Sequence, residues 1–576
     1  MEVEPPVVAP VEYEVAVEGK MPPDLRDLIE KSSVLVSERD RPPVSAAALS
    51  RRADDDVERV QDVLKSQGYY AGAVVPRIDT DVKPAKVVVE VTPGPQFTLH
   101  SLEIDYQPEV PSGEAPRTAA DLGLHPGMAA EAEPILDAEK RVIRRLSEQG
   151  YPDARIESRR YVADRSAETI TGTVVVDTGR LIRFGDLRID GLKDVEEDYL
   201  RRLVTWKPGG IYDVRKVERV RATLVGTGLF ESVSVEREDE VAKTDEQPVV
   251  ITVTERARRT IGVGVSYSTD EEGFGGEVYW EHRNLFGRAE SLRVTAEGSL
   301  IRQSLDARFQ KPNVLRRDQA IVANVAGTRE TTDAFDELSV TSFVGIKRKI
   351  LEHGTITTGP AFIVSQIKQD KETNEYYLIG LSNTFAYDLR NDLLNPTKGL
   401  YATLSLSPYF SVAGTKTQFV ISDSSLAGYL PIVGEDRVVL AARGRLGSIF
   451  GDSRSSVPAN MRFYAGGGGS VRGYRFRLIG PLDDHDDPIG GRSVVEIGAE
   501  ARIKVTDTIG VVPFVDGGQV FEDIYPSFDE SPLWAAGLGL RYYTAFGPLR
   551  LDVAFPLNPR SVDDPFQFYV SIGQAF

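Results

Sequence analysis

The chain has 576 residues, with 68 Lys and Arg against 87 Asp and Glu, giving a formal net charge of −19. That balance opposes a nucleic-acid partner, which calls for a basic face, and the length exceeds one ordinary domain. With no cysteine there are no disulfides, thiolate metal sites or cysteine nucleophiles, and passage through an oxidising compartment is unhindered.

No stretch approaches the roughly 18 apolar residues of a membrane helix, so a membrane crossing would have to be made by strands. The start, Met1-Glu-Val-Glu-Pro-Pro6, lacks the basic residues and apolar core of a signal peptide and reads as a mature amino terminus with an added methionine. Residues 1–10 are Pro-rich and read as a tail that is not helical.

Up to residue 256 an internal repeat sets the architecture. Gln67-Gly-Tyr-Tyr70, Gln149-Gly-Tyr-Pro152 and Thr227-Gly-Leu-Phe230 each end a charged amphipathic helix (53–67, 130–149, 214–227) at Gly68, Gly150 or Gly228 and open an alternating strand. A second, apolar strand follows each time: Val87-Val-Val-Glu-Val91, Val174-Val-Val176 and Val249-Val-Ile-Thr-Val253. Gly94, Leu99, Leu102 and Ile104 recur at a constant offset as Gly179, Phe184, Leu187 and Ile189, marking the first strands of units two and three. Tyr13-Glu-Val-Ala-Val17 opens unit one. The unit is strand, helix, helix, strand, strand, in three copies.

From Arg258 onward long helical patterns vanish and sixteen candidate strands, separated by Gly, Asn and Asp turns, run from Thr260–Ser268 to Phe566–Phe576. Their spacing suits spans of roughly 9–11 residues plus turns. An even number returns both ends to one side, the side that must hold the amino-terminal repeats. Alternate connections are short (285–288, 432–436, 506–508, 545–548), whereas 329–337, 369–374 and the stretch around Arg472 read as longer outer loops.

That last stretch, Ala465-Gly-Gly-Gly-Gly-Ser-Val-Arg-Gly-Tyr-Arg-Phe476, joins a permissive backbone to an apolar anchor (Val471), a charge (Arg472), a turn (Gly473) and a ring (Tyr474). In the next strand Val495, Ile497, Ala499, Ala501, Ile503 and Val505 alternate with Glu496, Gly498, Glu500, Arg502 and Lys504, so Glu500 faces inward. In the last strand Phe566, Phe568, Val570, Ile572 and Phe576 share the outward face, with Gln567, Tyr569, Ser571, Gly573 and Ala575 on the other. In the first strand Gly262, Gly264 and Ser266 face inward. A closed barrel joins these two strands, and glycines there predict a seam with weak side-chain packing.

Val471-Arg-Gly-Tyr474 resembles the sixth-loop signature of the BamA-like outer-membrane insertase superfamily, and Phe514-Val-Asp-Gly-Gly518 resembles its Phe-x-Asp-x-Gly element. Asn284-Leu-Phe-Gly287, Asp388-Leu-Arg-Asn391 with Pro396-Thr-Lys-Gly399, and Gly547-Pro-Leu-Arg-Leu-Asp552 add to the likeness. The resemblance implies a multidomain chain of three α+β POTRA domains (βααββ) at 11–97, 98–180 and 181–256. A 16-stranded antiparallel transmembrane β-barrel follows at 257–576, with its sixth extracellular loop, 449–492, folded into the lumen.

It also implies that Arg472 meets Glu500 and Asp516 on the barrel wall, and that a lateral seam involves Gly262, Gly264, Ser571, Gly573 and Phe576. Three repeats with sixteen strands resemble the TamA branch of the superfamily. That branch implies insertion or translocation of β-rich clients such as autotransporters, from the Gram-negative outer membrane, with a TamB-like inner-membrane-anchored partner. A BamA-type general insertase and a passive two-partner secretion pore are the alternatives.

Nothing points to an enzyme, a cofactor or a resident metal. Asp483-Asp-His-Asp-Asp487 lies between Pro481 and Pro488 and reads as a solvated acidic loop. His485 has no second histidine near it. Neither a phosphate loop nor a Gly-x-Ser-x-Gly elbow is present.

Overall fold

A computed structural model describes residues 10–108, 115–238, 245–268, 273–369, 372–527, 531–544, 547–572 and 574–576. The chain forms two compact units: Met1–Asp190 with Val204–Thr223 and Val233–Thr252, and Gly191–Leu203 with Leu224–Ser232 and Val253–Phe576.

The first repeat runs β1 (Tyr13–Glu18), α1 (Pro23–Ser32), α2 (Val34–Ser37), α3 (Ala46–Ser66), β2 (Ala73–Asp79) and β3 (Ala85–Thr92). In α3, Ser45 caps the amino terminus by accepting from the Ala48 N–H at 3.2 Å, and Leu49, Ala53, Val60 and Leu64 bury one face. The most apolar strand, β3, lies centrally, parallel to β1 and antiparallel to β2.

The second repeat comprises β4 (Thr98–Gln107), α4 (Ala132–Glu148), β5 (Arg155–Asp164) and β6 (Thr169–Asp177), with the same sheet order, β4-β6-β5. Here the expected first helix is reduced, among the described residues, to one 3-10 turn at Ala120–Leu122. The Asp121 carboxylate accepts from the N–H groups of Arg117 (2.9 Å) and Thr118 (3.0 Å), a local alternative to helix.

The third repeat is β7 (Arg183–Asp190), α5 (Glu197–Leu203), α6 (Val214–Gly226), β8 (Phe230–Arg237) and β9 (Glu246–Glu255), in the order β7-β9-β8. Gly68, Gly150 and Gly228 all have positive φ, as their place after a helix requires. The first two also receive the following repeat: the Gly68 carbonyl accepts from the Phe97 N–H at 2.9 Å and the Gly150 carbonyl from the Ile182 N–H at 2.7 Å.

Sixteen strands then form one sheet in sequence order. They are β10 (Arg259–Ser268), β11 (Gly273–His282), β12 (Ser291–Gly298), β13 (Arg302–Lys311), β14 (Gln319–Thr331), β15 (Asp336–Lys349), β16 (Gly354–Gln369) and β17 (Glu372–Asp388). The second half comprises β18 (Gly399–Gly414), β19 (Gln418–Val433), β20 (Val438–Gly451), β21 (Ser493–Lys504), β22 (Ile509–Phe521), β23 (Leu533–Thr544), β24 (Gly547–Pro556) and β25 (Gln567–Ile572). Consecutive strands in the sheet pair antiparallel, and apolar side chains line its outer face: Ile261, Val263 and Val265 are exposed on β10, as are Ile497 and Ile503 on β21, while Glu496, Glu500 and Arg502 are buried.

Two loop expectations change. Residues 329–337 are mostly ladder, because Arg329 pairs with Leu338, Glu330 with Glu337 and Thr331 with Asp336, leaving only 332–335 as the turn. Likewise β16 ends at Gln369 and β17 begins at Glu372. These polar ends pair as well as apolar ones, since a ladder needs only backbone groups. The connection between β20 and β21, 452–492, is the long one.

The last strand also departs from expectation. Phe566, Phe568 and Val570 are exposed on the outer face, but the described ladder stops at Ile572 and Gly573 lies outside the described residues. Phe576, expected outward, is half-buried beside Tyr429, with ring centroids 6.4 Å apart, and its carbonyl accepts from Arg502 Nη2 at 2.9 Å. Gln574 accepts from Arg541 Nε at 2.9 Å and donates to Asn395 Oδ1 at 2.8 Å. Polar partners on β21, β23 and the β17–β18 turn hold these residues off the ladder.

Candidate functional site

On β22, residues two apart share a face, so Phe514, Asp516 and Gly518 present a ring, an acid and a gap in one row. The tip of the 452–492 loop is seated on that row. Arg472, fully buried, donates from Nε to Asp516 Oδ2 at 2.6 Å and from Nη2 to Oδ1 at 3.0 Å, a two-pronged pair. Its Nη1 reaches Asp552 Oδ2 at 3.0 Å and Glu500 Oε2 at 3.3 Å, and the guanidinium carbon sits 3.5 Å from the centroid of the Phe514 ring. The Arg472 N–H also donates to Asp516 Oδ2, at 3.2 Å.

The neighbouring residues of the tip fit as closely. Val471 is fully buried over Gly518, where an added Cβ would lie 2.8 Å from Val471 Cγ2. Gly473 has φ +102 and donates its N–H to the Tyr569 hydroxyl at 2.8 Å. A Cβ there would come within 2.6 Å of Ala535 Cβ, so both backbone angle and space demand glycine. Tyr474 is buried and donates to the Trp534 carbonyl at 3.0 Å. Upstream, Ser470 donates to Glu496 Oε1 at 2.7 Å, and the Gly469 carbonyl accepts from Arg443 Nη1 at 2.7 Å.

Further guanidiniums surround the three acids. Arg502 donates to Glu500 Oε1 at 2.6 Å, Arg541 bonds Asp552, and Arg550 Nε lies 3.6 Å from Asp552 Oδ2, all of them buried. Each carboxylate is thus matched in a buried place, where an unmatched charge is costly. The loop tip thereby binds the five strands β21 to β25 through Glu500, Asp516, Trp534 with Ala535, Asp552 and Tyr569.

The structure brings together Val471, Arg472, Gly473, Tyr474, Glu500 and Asp516. Asp552, Tyr569, Arg541 and Arg550 were not foreseen. Alternation places Asp552 and Tyr569 inward, but which inward residues face one arginine depends on register across four strands.

The seam residues form a separate place. Strands β10 and β25 are the ends of the sheet, and no ladder pairs them among the described residues. The inner side of β10 is covered by its other neighbour: a Cβ on Gly262 would lie 2.2 Å from the Tyr279 ring, and one on Gly264 would lie 2.8 Å from Glu277 Cγ. Ser571 pairs with Arg550 on β24. Asp483 and Asp487 hold their own turn, the Asp483 carboxylate accepting from the N–H groups of His485 (2.8 Å) and Asp487 (2.9 Å).

A sixteen-stranded antiparallel barrel with an apolar outer face, an inward-folded loop and amino-terminal βααββ-type sheets defines an outer-membrane β-barrel protein with periplasmic POTRA domains. Residues 284–576 match the model of the Omp85 superfamily domain, and residues 182–256 match the POTRA model described as a surface antigen variable number repeat. The chain belongs to the Omp85 superfamily.

It is 26% identical to the outer membrane protein assembly factor BamA of Nitratidesulfovibrio vulgaris over 75% of this chain, but spans only 56% of that protein. With BamA of Neisseria meningitidis serogroup B it is 21% identical, over 90% of this chain and 72% of that one. The fold matches the crystal structure of BamA from Haemophilus ducreyi lacking POTRA domains 1–3, with TM-score 0.67 and 18% identity, covering 83% of this chain and all of that one.

Proposed function

We propose that this chain is an outer-membrane assembly factor that inserts or translocates β-rich clients, such as autotransporters, through a lateral seam between β10 and β25. In this reading the work is done without a cofactor or a catalytic residue. The POTRA domains, taken at 11–97, 98–180 and 181–256, receive partner or client strands by edge pairing. A TamB-like periplasm-spanning protein is the partner, as suits three repeats. The observation that carries the proposal is the contrast along the sheet: consecutive strands pair by ladders, whereas β10 and β25 have none among the described residues. A strand edge that no ladder covers is a template for an incoming strand.

Cysteine pairs placed between 262–265 and 569–572, in a chain that otherwise has none, test this directly. A disulfide-locked seam should abolish client insertion and reduction should restore it, with the barrel folded throughout. Insertion at the wild-type rate through a confirmed lock would overturn the lateral route.

The relatives named BamA favour a second reading, a general insertase serving most outer-membrane proteins. Depleting the protein separates the two. A fall confined to autotransporter-like clients, together with co-purification of a TamB-like partner, supports the first reading. A fall across bulk porins supports the second.

A further inference from the structure

The turn between β13 and β14 has a conformation that its own packing does not account for. Leu315 is 93% exposed at φ +62, a backbone region unfavourable for a bulky side chain. The turn is nevertheless well anchored: Asn313, also at positive φ, donates from Nδ2 to the Tyr199 hydroxyl at 2.9 Å, and the Val314 N–H bonds the Gln319 carbonyl at 3.0 Å. A strained leucine presented to water gains nothing from the folded protein.

The same rim repeats the pattern. The β11–β12 turn exposes Phe286, the β15–β16 turn Ile350 and Leu351, and the β17–β18 turn Leu393 and Leu394. Around Leu315 the charge is basic in a chain of net −19. Arg316 and Arg317 follow it and are exposed, as are Lys347 and Lys349 on β15, while Lys311 is ion-paired with Glu290 at 3.2 Å and Arg348 with Asp318 at 3.4 Å.

We propose that this turn is a docking site for the anionic phospholipid of the inner leaflet, with Leu315 in the acyl boundary and Arg316 and Arg317 on the phosphate. The site is continuous with the apolar outer face of β13 to β15, where Leu305, Val325 and Val344 are exposed, so its occupant is bilayer lipid. Apolar side chains at the hydrocarbon edge beside basic residues are what a negatively charged leaflet attracts. Each basic residue near such a surface strengthens attachment roughly fivefold, an effect that salt screens.

The full-length protein is reconstituted into nanodiscs of phosphatidylcholine with a minor share of phosphatidylglycerol, and the lipid retained on the released protein is identified by native mass spectrometry. Wild type should be enriched in phosphatidylglycerol, and the Arg316→Gln, Arg317→Gln double variant should lose that enrichment by about five- to twenty-fold. Lys416→Gln, in the β18–β19 turn on the opposite rim, should change nothing.

Leu315→Gly separates lipid binding from folding. It relieves the strained φ, so it should keep or raise thermal stability in detergent while weakening lipid retention. Unchanged phosphatidylglycerol enrichment in the double variant overturns the proposal. So does an equal loss with Lys416→Gln, or a fall in detergent stability with Leu315→Gly.

Discussion

The two ends of the sheet are held by different physics. From β21 to β25 the wall is bound crosswise by one loop tip, with a fully buried arginine among three acids, a hydroxyl on the Gly473 N–H and Val471 over a glycine. At β10 the ladder found among the described residues is the one to β11, and two inward side chains, Tyr279 and Glu277, lie over its glycines. Ladder hydrogen bonds contribute about 0.5–1.5 kcal/mol net each, so an edge held by one ladder yields before a wall that shares a desolvated charge cluster. Rigidity is concentrated beside the edge that the proposed function requires to open.

The comparison breaks most severely with Arg472→Ala, which takes from buried Asp516 its guanidinium partner and from Glu500 and Asp552 one partner each. Urea unfolding in micelles should show a loss of about 3–5 kcal/mol, with assembly activity lost as well; wild-type behaviour in both would remove the loop from the mechanism. Gly473→Ala comes next, since the methyl would meet Ala535 at a φ that alanine avoids. A cost of about 1–3 kcal/mol is expected, visible as a lower temperature for the heat-modifiable band shift.

Tyr569→Phe sharpens the contrast from the other side, because it deprives the buried Gly473 N–H of its acceptor without changing shape. It should cost about 1–2 kcal/mol and speed proteolysis within 452–492; an unaltered loop would mean that β25 is not tied through this hydroxyl. Smallest is Gly262→Ala at the other end. There only the far end of Tyr279 must swing aside, losing its stack under Arg293, at 3.8 Å, for about 0.5–1 kcal/mol. A loss as large as that of Arg472→Ala would show that both ends are equally rigid.

Local period was the legible part. Two-residue alternation assigned Glu500 to the interior and the glycine after each helix marked three repeats, because both signals are written within a few residues, whereas Asp516 came from the resemblance of Phe514-Val-Asp-Gly-Gly518 to a family element. What was not legible depended on distance. Asp552 meets Arg472 only through the registers of β21 to β24, and Arg541 and Arg550 become its neighbours by the same route. Polarity misled at 329–337, where residues read as loop are paired strand ends. The alternation of the last strand misled at Phe576, since period alone cannot reveal that Arg502 and Arg541 offer residues 574–576 better partners than the ladder does.

The chain order of the tip's partners carries a consequence in time. Glu500, Asp516, Trp534, Asp552 and Tyr569 all follow Arg472 in sequence, the last of them on the final strand. Until β24 is in place the arginine lacks Asp552, and until β25 is in place the Gly473 N–H lacks its acceptor, so seating the loop is a late event in maturation. Contacts that close late slow the final step while earlier hairpins form at their own pace. A chain halted before its last strand would hold fifteen strands and a loop tip seated on four of them, its Gly473 N–H still without an acceptor.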